Sequence, residues 1–482
     1  MNHEKAGGYI SRITFNNGES LDISRDDIVI FVGPNNAGKS QSLKDIYTLS
    51  EQKMPTTVIS DINITKNNLP ISATLEKLSE GEHRGGFTTY IVLNHRMHIY
   101  NSTDESFLSE QYYGEYRALF VANLDTAARL TICSPPNSIP RNASKQHPIH
   151  YAAFSSNYRK WLSDSFKKAF GIEVTPNTQY GSQIPLCIGE PVQLTGQYKD
   201  EQDRQEAYAR ILDTYKQVQN QGDGIKSFTG ILLYLMLDYY CTYLIDEPES
   251  FLHPPQARIM GQIIGQTLAD QQQAFISTHS EEIIKGLLEA CPNRIKIIRI
   301  TREEDTNSFS VLNNQEFRQV WNDPILRYSN IMASLFHKTV VLCESDSDCK
   351  MYSIIESHIK QRQGKYSETL FIHCGGKHRM AKIVKALRSL NVNTKLITDI
   401  DVLNDETVFQ GIVESYGIDY DAIRTDYKNI VSNLHSDKEK INRIAAKSAI
   451  SQIMDNGKSA ELSKNELKQI RDIISTTSIW SK

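Results

Sequence analysis

The chain has 482 residues, of which 39% are hydrophobic and 23% charged, and its formal net charge is −4. This composition is ordinary for a globular protein of two or three domains, and it excludes a globally basic surface. Any contact with nucleic acid must therefore come from local patches. The 7 scattered cysteines form no CxxC pair, which argues against a disulfide framework or a zinc site. Because the N-terminus lacks a signal-peptide pattern, we expect a cytoplasmic protein that does not enter the membrane.

The first half of the chain alternates predicted strands and helices, which is typical of α/β layering. Short strands over ISRITF, LDIS and DIVIFVG predict an antiparallel layer before a glycine-rich loop and the helix KSQSLKDIYTLSEQ. Residues 56–185 show mixed patterns around one amphipathic helix, SSNYRKWLSDSFKKAFG. Beyond them we expect, in order, the helices EQDRQEAYARILDTYKQVQNQ and GDGIKSFTGILLYLMLDYY, the strands CTYLIDEPES and QQAFISTHS, and the hairpin IKIIRITREEDTNSFSVLN.

A second α/β unit begins after the segment from EEDTN to NDPILRYSN. Three strands (KTVVLCES, ETLFIHCGG, TKLITDID) alternate with two helices (SDCKMYSIIESHIKQ, MAKIVKALRSL), which predicts a small parallel sheet. The charged stretch 404–482 is predicted to be mostly helical. We therefore expect one domain over 1–330, with a helical insertion at about 120–220, and a second over 331–482.

The loop Gly33-Pro-Asn35-Asn36-Ala-Gly38-Lys39-Ser40 has the G-x-x-x-x-G-K-[ST] pattern of a phosphate-binding loop, here between a strand and a helix. Its glycines allow backbone N–H groups to surround phosphates, its lysine neutralises the β and γ oxygens, and its serine holds Mg²⁺. Gln41, the next residue, is a further candidate contact. The sequence therefore predicts that ATP and Mg²⁺ bind here.

Further candidate residues of the same site follow two later apolar strands. Asp246 can complete the Mg²⁺ shell, and Glu247 can orient and deprotonate the attacking water. His279 follows the next strand, where it can sense the γ-phosphate, and Arg129 is a weaker candidate contact. A glycine-bearing turn, with Gly222, Gly224 and Ser227 as candidates, opens the helix before these acids.

This order of motifs resembles the ATP-binding-cassette (ABC) ATPases, and especially their SMC-like heads. In that family the glycine-rich signature of one subunit caps the ATP held by the phosphate loop of another. The resemblance therefore implies a homodimer or higher oligomer in which Gly222, Gly224 and Ser227 face Lys39 of a second copy. The signature of this chain departs from the usual S-G-G-Q.

A second group of acids lies in the second domain. Glu344, Asp346 and Asp348 follow one apolar strand, and Asp399 and Asp401 follow another. Since the carboxyl ends of parallel strands share one edge, we expect these carboxylates to converge, which would be unfavourable without a cation. Hard oxygen ligands favour Mg²⁺ or Mn²⁺, and two such ions can assist phosphodiester displacement. The alternative is a pair of solvated acidic loops.

The arrangement of E-x-x-x-D, a glycine-bearing strand and D-x-D resembles the Toprim fold. Together with the ATPase head, it is similar to the OLD (overcoming lysogenization defect) family of ATP-dependent nucleases, with DPILRYSN…LFHKTVVLCESDSD as the familiar junction. The resemblance implies that the family's metal-binding acids correspond to Glu344, Asp348, Asp399 and Asp401, and that Lys377 could meet a phosphate. The family's E-G is Glu344-Ser345 here, and its last Toprim strand usually begins about where this sequence ends. We expect that strand to be trimmed or absent, and a catalytic lysine to be missing with it. Lys482 is a poor substitute for that lysine, because terminal residues are usually mobile.

The resulting hypothesis is a metal-dependent DNA endonuclease coupled to an ABC-type ATPase. The resemblance also implies a role in bacterial defence against phages, sometimes with a helicase, or with a retron's reverse transcriptase and its DNA. One alternative is an SMC-like, DNA-clamping ATPase whose Toprim domain is non-catalytic, although no long heptad coiled coil is present. A transporter motor, a topoisomerase and a primase account for fewer of the motifs.

Overall fold

The computed structural model of the chain describes residues 6–79, 81–84, 86–93, 95–190, 192, 194, 197–237, 240–269, 271–303, 306–312, 331–435, 442–456 and 461–474. The chain forms two compact units, 1–338 and 339–482. Lys482 and the junction residues 313–330 lie outside the described residues. None of the described helices combines the length and apolar composition needed to cross a membrane.

The first unit is built around a six-stranded sheet. Its strands are β3 (Ile28–Val32), β8 (Val121–Leu124), β12 (Thr242–Asp246), β13 (Gln273–Ser277), β14 (Ile295–Glu303) and β15 (Thr306–Val311), in the spatial order β15-β14-β3-β13-β12-β8. All pairs are parallel except β14–β15, which form the predicted hairpin. The buried runs of β3 and β13 place these strands in the middle of the sheet, as expected for parallel strands covered on both faces.

Three small antiparallel sheets accompany the central one within the described residues of the first unit. An antiparallel layer is present, but its three strands are β1 (Gly8–Phe15), β2 (Ser20–Asp22) and β4 (Ile59–Lys66), in the order β2-β1-β4. The segment DIVIFVG belongs instead to the central sheet, because every residue of β3 is buried between parallel neighbours. The other sheets comprise β5 (Glu82–Arg84), β6 (Phe87–Val92) and β7 (His95–Tyr100), and β9 (Glu173–Pro176), β10 (Leu186–Gly189) and β11 (Lys216–Gln217).

The helices of the first unit surround these sheets. They are α1 (Lys39–Glu51), α2 (Ile71–Leu78), α3 (Thr103–Ser109), α4 (Arg117–Phe120), α5 (Thr126–Thr131), α6 (Pro148–Phe154), α7 (Ser156–Phe170), α8 (Glu201–Asp213), α9 (Asp223–Leu235), α10 (Pro254–Thr267) and α11 (Glu281–Ala290). The segment at 120–220 is not purely helical, since β8 pairs with β12 at the edge of the central sheet and β9–β11 form their own sheet. The predicted helix from Glu201 ends at Asp213 because the chain then enters β11.

Residues 331–338 belong to the first unit, unlike the predicted division after residue 330. The helical turn Met332–Phe336 brings the ring of Phe336 within 6.3 Å of the His279 ring. The guanidinium of Arg299 donates to the backbone oxygen of His337 at 2.7 Å. These contacts join residues 331–338 to the rest of the first unit.

The second unit contains a three-stranded parallel sheet, as predicted. Its strands are β16 (Thr339–Cys343), β17 (Thr369–His373) and β18 (Asn393–Leu396), in the order β17-β16-β18. Helices α12 (Asp346–Arg362) and α13 (Met380–Ser389) connect them. The remaining described helices are α14 (Glu406–Ser415), α15 (Arg424–His435), α16 (Arg443–Asp455) and α17 (Lys464–Ile474). The α/β fold class with a smaller parallel-sheet domain is therefore confirmed.

Candidate functional site

Three neighbouring strands bring the candidate nucleotide-binding residues to one edge of the central sheet. Strand β13 lies between β3 and β12, with Ser277 opposite Phe31 on one side and Asp246 on the other. The loops that follow these strands therefore begin at the same level. This is the carboxyl edge, where parallel sheets commonly bind ligands.

The phosphate-binding loop joins β3 to α1 in a conformation that requires glycine. Gly33 has φ 143°, and a Cβ atom there would lie 2.0 Å from the backbone oxygen of Ile300. Gly38 has φ 102° and precedes the first residue of α1. Asn35 and Asn36 are exposed in the loop, and Asn36 has a left-handed backbone with φ 59°.

The side chain of Lys39 folds back into its own loop. It is 5% exposed, and its ammonium donates to the backbone oxygens of Gly33 at 3.0 Å and Pro34 at 2.7 Å. Burial lowers the pKa of Lys39 to about 8, against the opposing effect of Glu247, Glu249 and Asp246. The Lys39 ammonium is therefore already held inside the loop, where the oxygens of a bound phosphate would replace the two carbonyls as its partners.

The residues after Lys39 differ in what they contact. Ser40 is half-buried at the start of α1. Gln41 donates from its amide to Asp45 Oδ1 at 2.8 Å, and Asp45 Oδ2 accepts the N–H groups of Val58 and Ile59. Asp45 therefore joins α1 to the start of β4, and the amide of Gln41 is bonded to this carboxylate.

The acids after β12 are held by backbone and hydroxyl contacts from β13. The hydroxyl of Ser277 donates to Asp246 Oδ1, and the N–H of Glu247 donates to the Ser277 carbonyl at 3.0 Å. Glu247 adopts a left-handed backbone with φ 46°, which is rare for a residue with a side chain. Its Oε1 lies 3.4 Å from His279 Nε2. Backbone strain of this kind clusters at functional sites.

Glu249 ties the two neighbouring loops together. Its Oε1 accepts the backbone N–H of His279 at 2.6 Å, while its Oε2 is buried and has no hydrogen-bond partner among the described residues. Burial raises the pKa of Glu249, and burial together with Lys39 lowers the pKa of His279. The imidazole is therefore neutral at pH 7. Neither Glu249 nor Ser277 was predicted to belong to the site. Glu249 carries one sequence signal, since it is the second glutamate in the string DEPE, and Ser277 carries none.

Arg129 lies beneath the acids, not in an open phosphate site. Its side chain is fully buried, and its guanidinium donates to the backbone oxygen of Asp246 and to Thr126 Oγ1. Burial lowers the pKa of Arg129, opposed first by Asp246. The arrangement makes Arg129 a positioning residue for the end of β12.

The predicted signature residues lie at the start of α9. Gly222 is the N-cap of α9, and a Cβ at Gly224 would lie 2.6 Å from the backbone oxygen of Phe251, in the loop after the acids. Ser227 is fully buried, and its hydroxyl has no partner within the described part of the chain. This buried position conflicts with the expectation that Ser227 faces a second copy, because α9 turns that side chain into the core.

The second candidate site lies at the carboxyl edge of the small sheet. Cys343 of β16 lies opposite His373 of β17, and Leu342 lies opposite Leu396 of β18. The segments after these strands, beginning at Glu344, Cys374 and Ile397, therefore leave the sheet side by side. The predicted convergence of the acidic segments on one edge follows from this register.

Glu344, Lys377 and Asp401 form the centre of this edge. Lys377 Nζ donates to Asp401 Oδ2 at 2.8 Å, and this contact raises the pKa of Lys377, with a smaller contribution from Glu344. The Asp401 side chain is 48% exposed, but its Oδ1 atom, like Glu344 Oε2, is inaccessible to solvent and has no hydrogen-bond partner among the described residues. Two unsatisfied carboxylate oxygens are suitable donors for Mg²⁺ or Mn²⁺.

Asp348 is engaged at the start of its own helix in this structure. It forms a capping box at the start of α12, in which Asp348 Oδ2 accepts from the N–H and hydroxyl of Ser345 at 3.0 and 2.8 Å. Asp346 is exposed and pairs with Lys350 at 2.6 Å, and Asp399 is exposed before a helical turn. Within the described residues, no group of three or more His, Cys, Asp or Glu side chains is arranged to hold a metal ion.

Two family models match parts of the chain. The first, "AAA domain, putative AbiEii toxin, Type IV TA system", matches residues 124–285, which include the acids after β12 but not the phosphate-binding loop. The second, "Overcoming lysogenization defect protein-like, TOPRIM domain", matches residues 335–401 and includes the second acidic edge. The chain thus combines an ATPase domain with an OLD-like TOPRIM domain.

A curated relative agrees with this domain composition. The Old nuclease of Escherichia phage P2 is 22% identical over 166 residues, which are 33% of this chain and 28% of that protein. The match therefore spans less than a third of the relative's length. Together with the two family models, it confirms the resemblance to the OLD family.

Solved SMC heads are also similar. The Smc head domain with an extended coiled coil from Pyrococcus furiosus, bound to the C-terminal domain of ScpA, is 11% identical and covers 65% of this chain and 98% of its own, with a TM-score of 0.37. The SMC head domain from Thermotoga maritima is 12% identical and covers 64% and 98%, with a TM-score of 0.32.

Proposed function

We propose that this protein is an ATP-coupled, metal-dependent DNA endonuclease that cuts phosphodiesters at the carboxyl edge of the TOPRIM sheet. The observation that carries the proposal is the group at this edge, where a lysine–aspartate pair stands beside two buried and unsatisfied carboxylate oxygens. A bound cation would satisfy both oxygens. Inaccessible polar atoms without a hydrogen-bond partner are uncommon in folded proteins, which favours a bound cation over simple solvated acids.

The residues of this edge have separate roles in the proposal. Glu344, Asp399 and Asp401 would hold Mg²⁺ or Mn²⁺, whose charge would stabilise the attacking and leaving oxygens of the phosphodiester. Lys377 would transfer its contact from Asp401 to a phosphate oxygen. Gly376, with φ 109° and open space around its α-carbon, would let the substrate backbone come close. Asp348 holds the start of α12 and is not needed as a ligand.

The ATPase roles follow from the shared edge of β3, β13 and β12. Lys39 would neutralise the phosphates, and Ser40 and Asp246 would hold Mg²⁺. Glu247 would orient the attacking water and accept its proton, while the neutral His279 beside it would contact the γ-phosphate. Gly222 and Gly224 would cap the nucleotide of a second copy, which makes the active form a dimer or larger oligomer.

The proposal includes a biological setting. We infer an effector of bacterial anti-phage defence, with a helicase or a retron's reverse transcriptase and its DNA as partners of the expected kind. Its support is the resemblance to the OLD family together with the domain composition.

Plasmid cleavage tests the proposal directly. Wild type, Asp401→Ala, Lys39→Ala and the control Asp455→Ala, an exposed acid at the end of α16, are incubated with supercoiled DNA and Mg²⁺ or Mn²⁺, with and without ATP. We expect Asp401→Ala to lose cleavage while keeping ATP hydrolysis, and Asp455→Ala to match wild type. Comparing cleavage with and without ATP, and in Lys39→Ala and wild type, shows whether ATP activates or restrains cleavage.

Retained cleavage in Asp401→Ala would refute the nuclease assignment. ATP hydrolysis without cleavage in any variant, wild type included, would favour the SMC-like clamping ATPase with a non-catalytic TOPRIM domain.

A further inference from the structure

One stretch of the TOPRIM domain carries positive charge only. Residues 369–398 include Lys377, Arg379, Lys382, Lys385, Arg388 and Lys395 but no aspartate or glutamate. The whole chain has more acids than bases, 57 against 53. A positive segment of this length in an acidic protein creates a local field opposite to that of the whole molecule.

Helix α13 sorts these charges onto one face. Its buried side chains, Met380, Ile383, Val384, Ala386 and Leu387, recur at the spacing of a core-facing stripe. Arg379, Lys382 and Lys385 are exposed on the opposite side. We call these three residues, with His378, the α13 basic face. Arg388 ends the row, where its guanidinium donates to the backbone oxygen of Tyr416.

The α13 basic face begins at the acidic edge. Lys377, which contacts Asp401, starts the helical turn that leads into α13. Since α13 connects the carboxyl end of β17 to the start of β18, it runs away from that edge along the sheet. Its 10 residues span about 15 Å, or four to five phosphate steps of duplex DNA. The row of charges is therefore continuous with the lysine of the candidate cleavage site.

The acids of the neighbouring helix are engaged elsewhere. Gly411 of α14 lies beside Ala381 of α13. Glu406 of α14 accepts from Tyr420 and Arg424, and Glu414 accepts from Gln410 at 2.7 Å. One oxygen of each α14 glutamate therefore has a partner outside α13.

We propose that the α13 basic face binds the phosphodiester backbone of nucleic acid and leads it to the edge formed by Glu344, Lys377 and Asp401. The inference rests on the proposed function, because it names the surface that delivers the substrate to that same edge. Contacts of this kind position the strand without reading its sequence. Each lysine that neutralises a phosphate releases a counterion and makes affinity depend on salt.

The test compares two double variants of equal charge. Lys382→Gln/Lys385→Gln removes the centre of the face, and Lys428→Gln/Lys447→Gln removes two exposed lysines on α15 and α16. Binding of fluorescent DNA and RNA duplexes of two unrelated sequences is measured by anisotropy in EDTA, over a series of NaCl concentrations. Thermal unfolding and ATP hydrolysis verify that both variants fold.

We expect the α13 variant to bind every duplex more weakly, with a salt slope reduced by about 0.9 for each lost phosphate contact. The control variant should bind like wild type, and the DNA and RNA arms identify the substrate backbone. Equal binding by the α13 variant and wild type, equal losses in both variants, or no binding by wild type would each overturn the inference. Because these measurements involve no cleavage, they test the binding surface even if the Asp401→Ala experiment shows that the protein is not a nuclease.

Discussion

At the scale of single residues, Lys39 shows how burial sets the charge of the nucleotide site. Its ammonium is nearly inaccessible to solvent and is satisfied by two loop carbonyls. Burial disfavours the charged form, so the pKa falls from 10.5 to about 8. The affinity for phosphates is therefore linked to pH in a range that is readily measured.

The first prediction concerns ATP binding by Lys39. Below pH 8 the ammonium is already charged, whereas above it nucleotide binding must take up a proton, so affinity falls by up to about tenfold per pH unit. Isothermal titration calorimetry in buffers of different ionisation enthalpy measures both the affinity and the proton uptake. Lys39→Arg is the control, because its charge persists at every pH tested. Proton uptake that is absent at pH 9 would contradict the prediction.

Glu249 shows the reverse effect, since burial raises the pKa of its carboxyl group. A folded-state pKa above the unfolded one makes the protonated form favourable to folding. The contribution of Glu249 to stability is thus best below the unfolded value of 4.5 and declines as pH rises through the folded pKa.

We therefore predict that Glu249→Gln is more resistant to denaturant than wild type at pH 7. The amide keeps an oxygen to accept the His279 N–H and removes the buried charge. The gain should shrink as pH falls toward 4.5, as measured by urea unfolding across the range. Glu282→Gln, on α11, is the matched change at a paired carboxylate outside the site. A gain independent of pH would refute this account.

At the scale of secondary-structure elements, the start of α12 explains why one predicted metal ligand is not free. Its place after an apolar strand, together with the resemblance to the OLD family, put Asp348 among the predicted metal-binding acids. The same segment, Ser345-x-x-Asp348, also carries the pattern of a capping box, a signal that was visible in the sequence. Because Asp348 Oδ2 accepts from Ser345 at the first turn of its own helix, capping and cation binding would draw on the same carboxylate.

The corresponding prediction is that Asp348→Ala destabilises the TOPRIM domain without weakening metal binding. Loss of one half of a capping box lowers the free energy of unfolding by about 1 kcal/mol. Urea unfolding of the domain and Mn²⁺ titration measure the two effects separately, with Asp401→Ala as the comparison that loses metal binding. Loss of Mn²⁺ affinity in Asp348→Ala would restore this residue as a ligand.

The strands were predictable where apolar runs were long, and less so elsewhere. Ile28–Val32, Thr242–Asp246 and Thr339–Cys343 were recognisable because parallel strands buried on both faces are continuously apolar, whereas Asn393–Leu396 alternates between exposed and partly buried residues. The edge strand β8 has four residues, too few for a periodic pattern, and it fell in the region without a clear assignment. Ser277 carries no signal at all, since only the register of β12 and β13 places its hydroxyl on Asp246.

At the scale of the whole molecule, the nucleotide site lies entirely within the first unit. All its candidate residues precede residue 338, and a continuous core of buried side chains underlies the phosphate-binding loop. In the described part of the second unit, buried side chains line α13 and the strands beside it, and smaller clusters lie under the acidic edge and among the following helices. We expect the first unit to be the more stable of the two.

We therefore predict that a chain ending at Lys338 folds and binds ATP. Its ATP affinity should lie within about threefold of the full chain, because no residue of the site is removed. Calorimetric titration and circular dichroism provide the measurement, with Lys39→Ala in the same shortened chain as the negative control. Unfolding of the shortened chain would show that the first unit depends on the second for its stability.

The left-handed backbone of Glu247 has a practical consequence for trapping the nucleotide-bound state. Conformations of this kind cost about 1–2 kcal/mol for most residues, whereas asparagine tolerates them well. Glu247→Asn would remove the proposed general base while relieving the backbone at the same position. Most substitutions that silence an enzyme leave its stability unchanged or lower it. Here the inactive variant should be more stable than wild type. It should also accumulate with ATP still bound, which is a convenient form for capturing the assembled oligomer on its substrate.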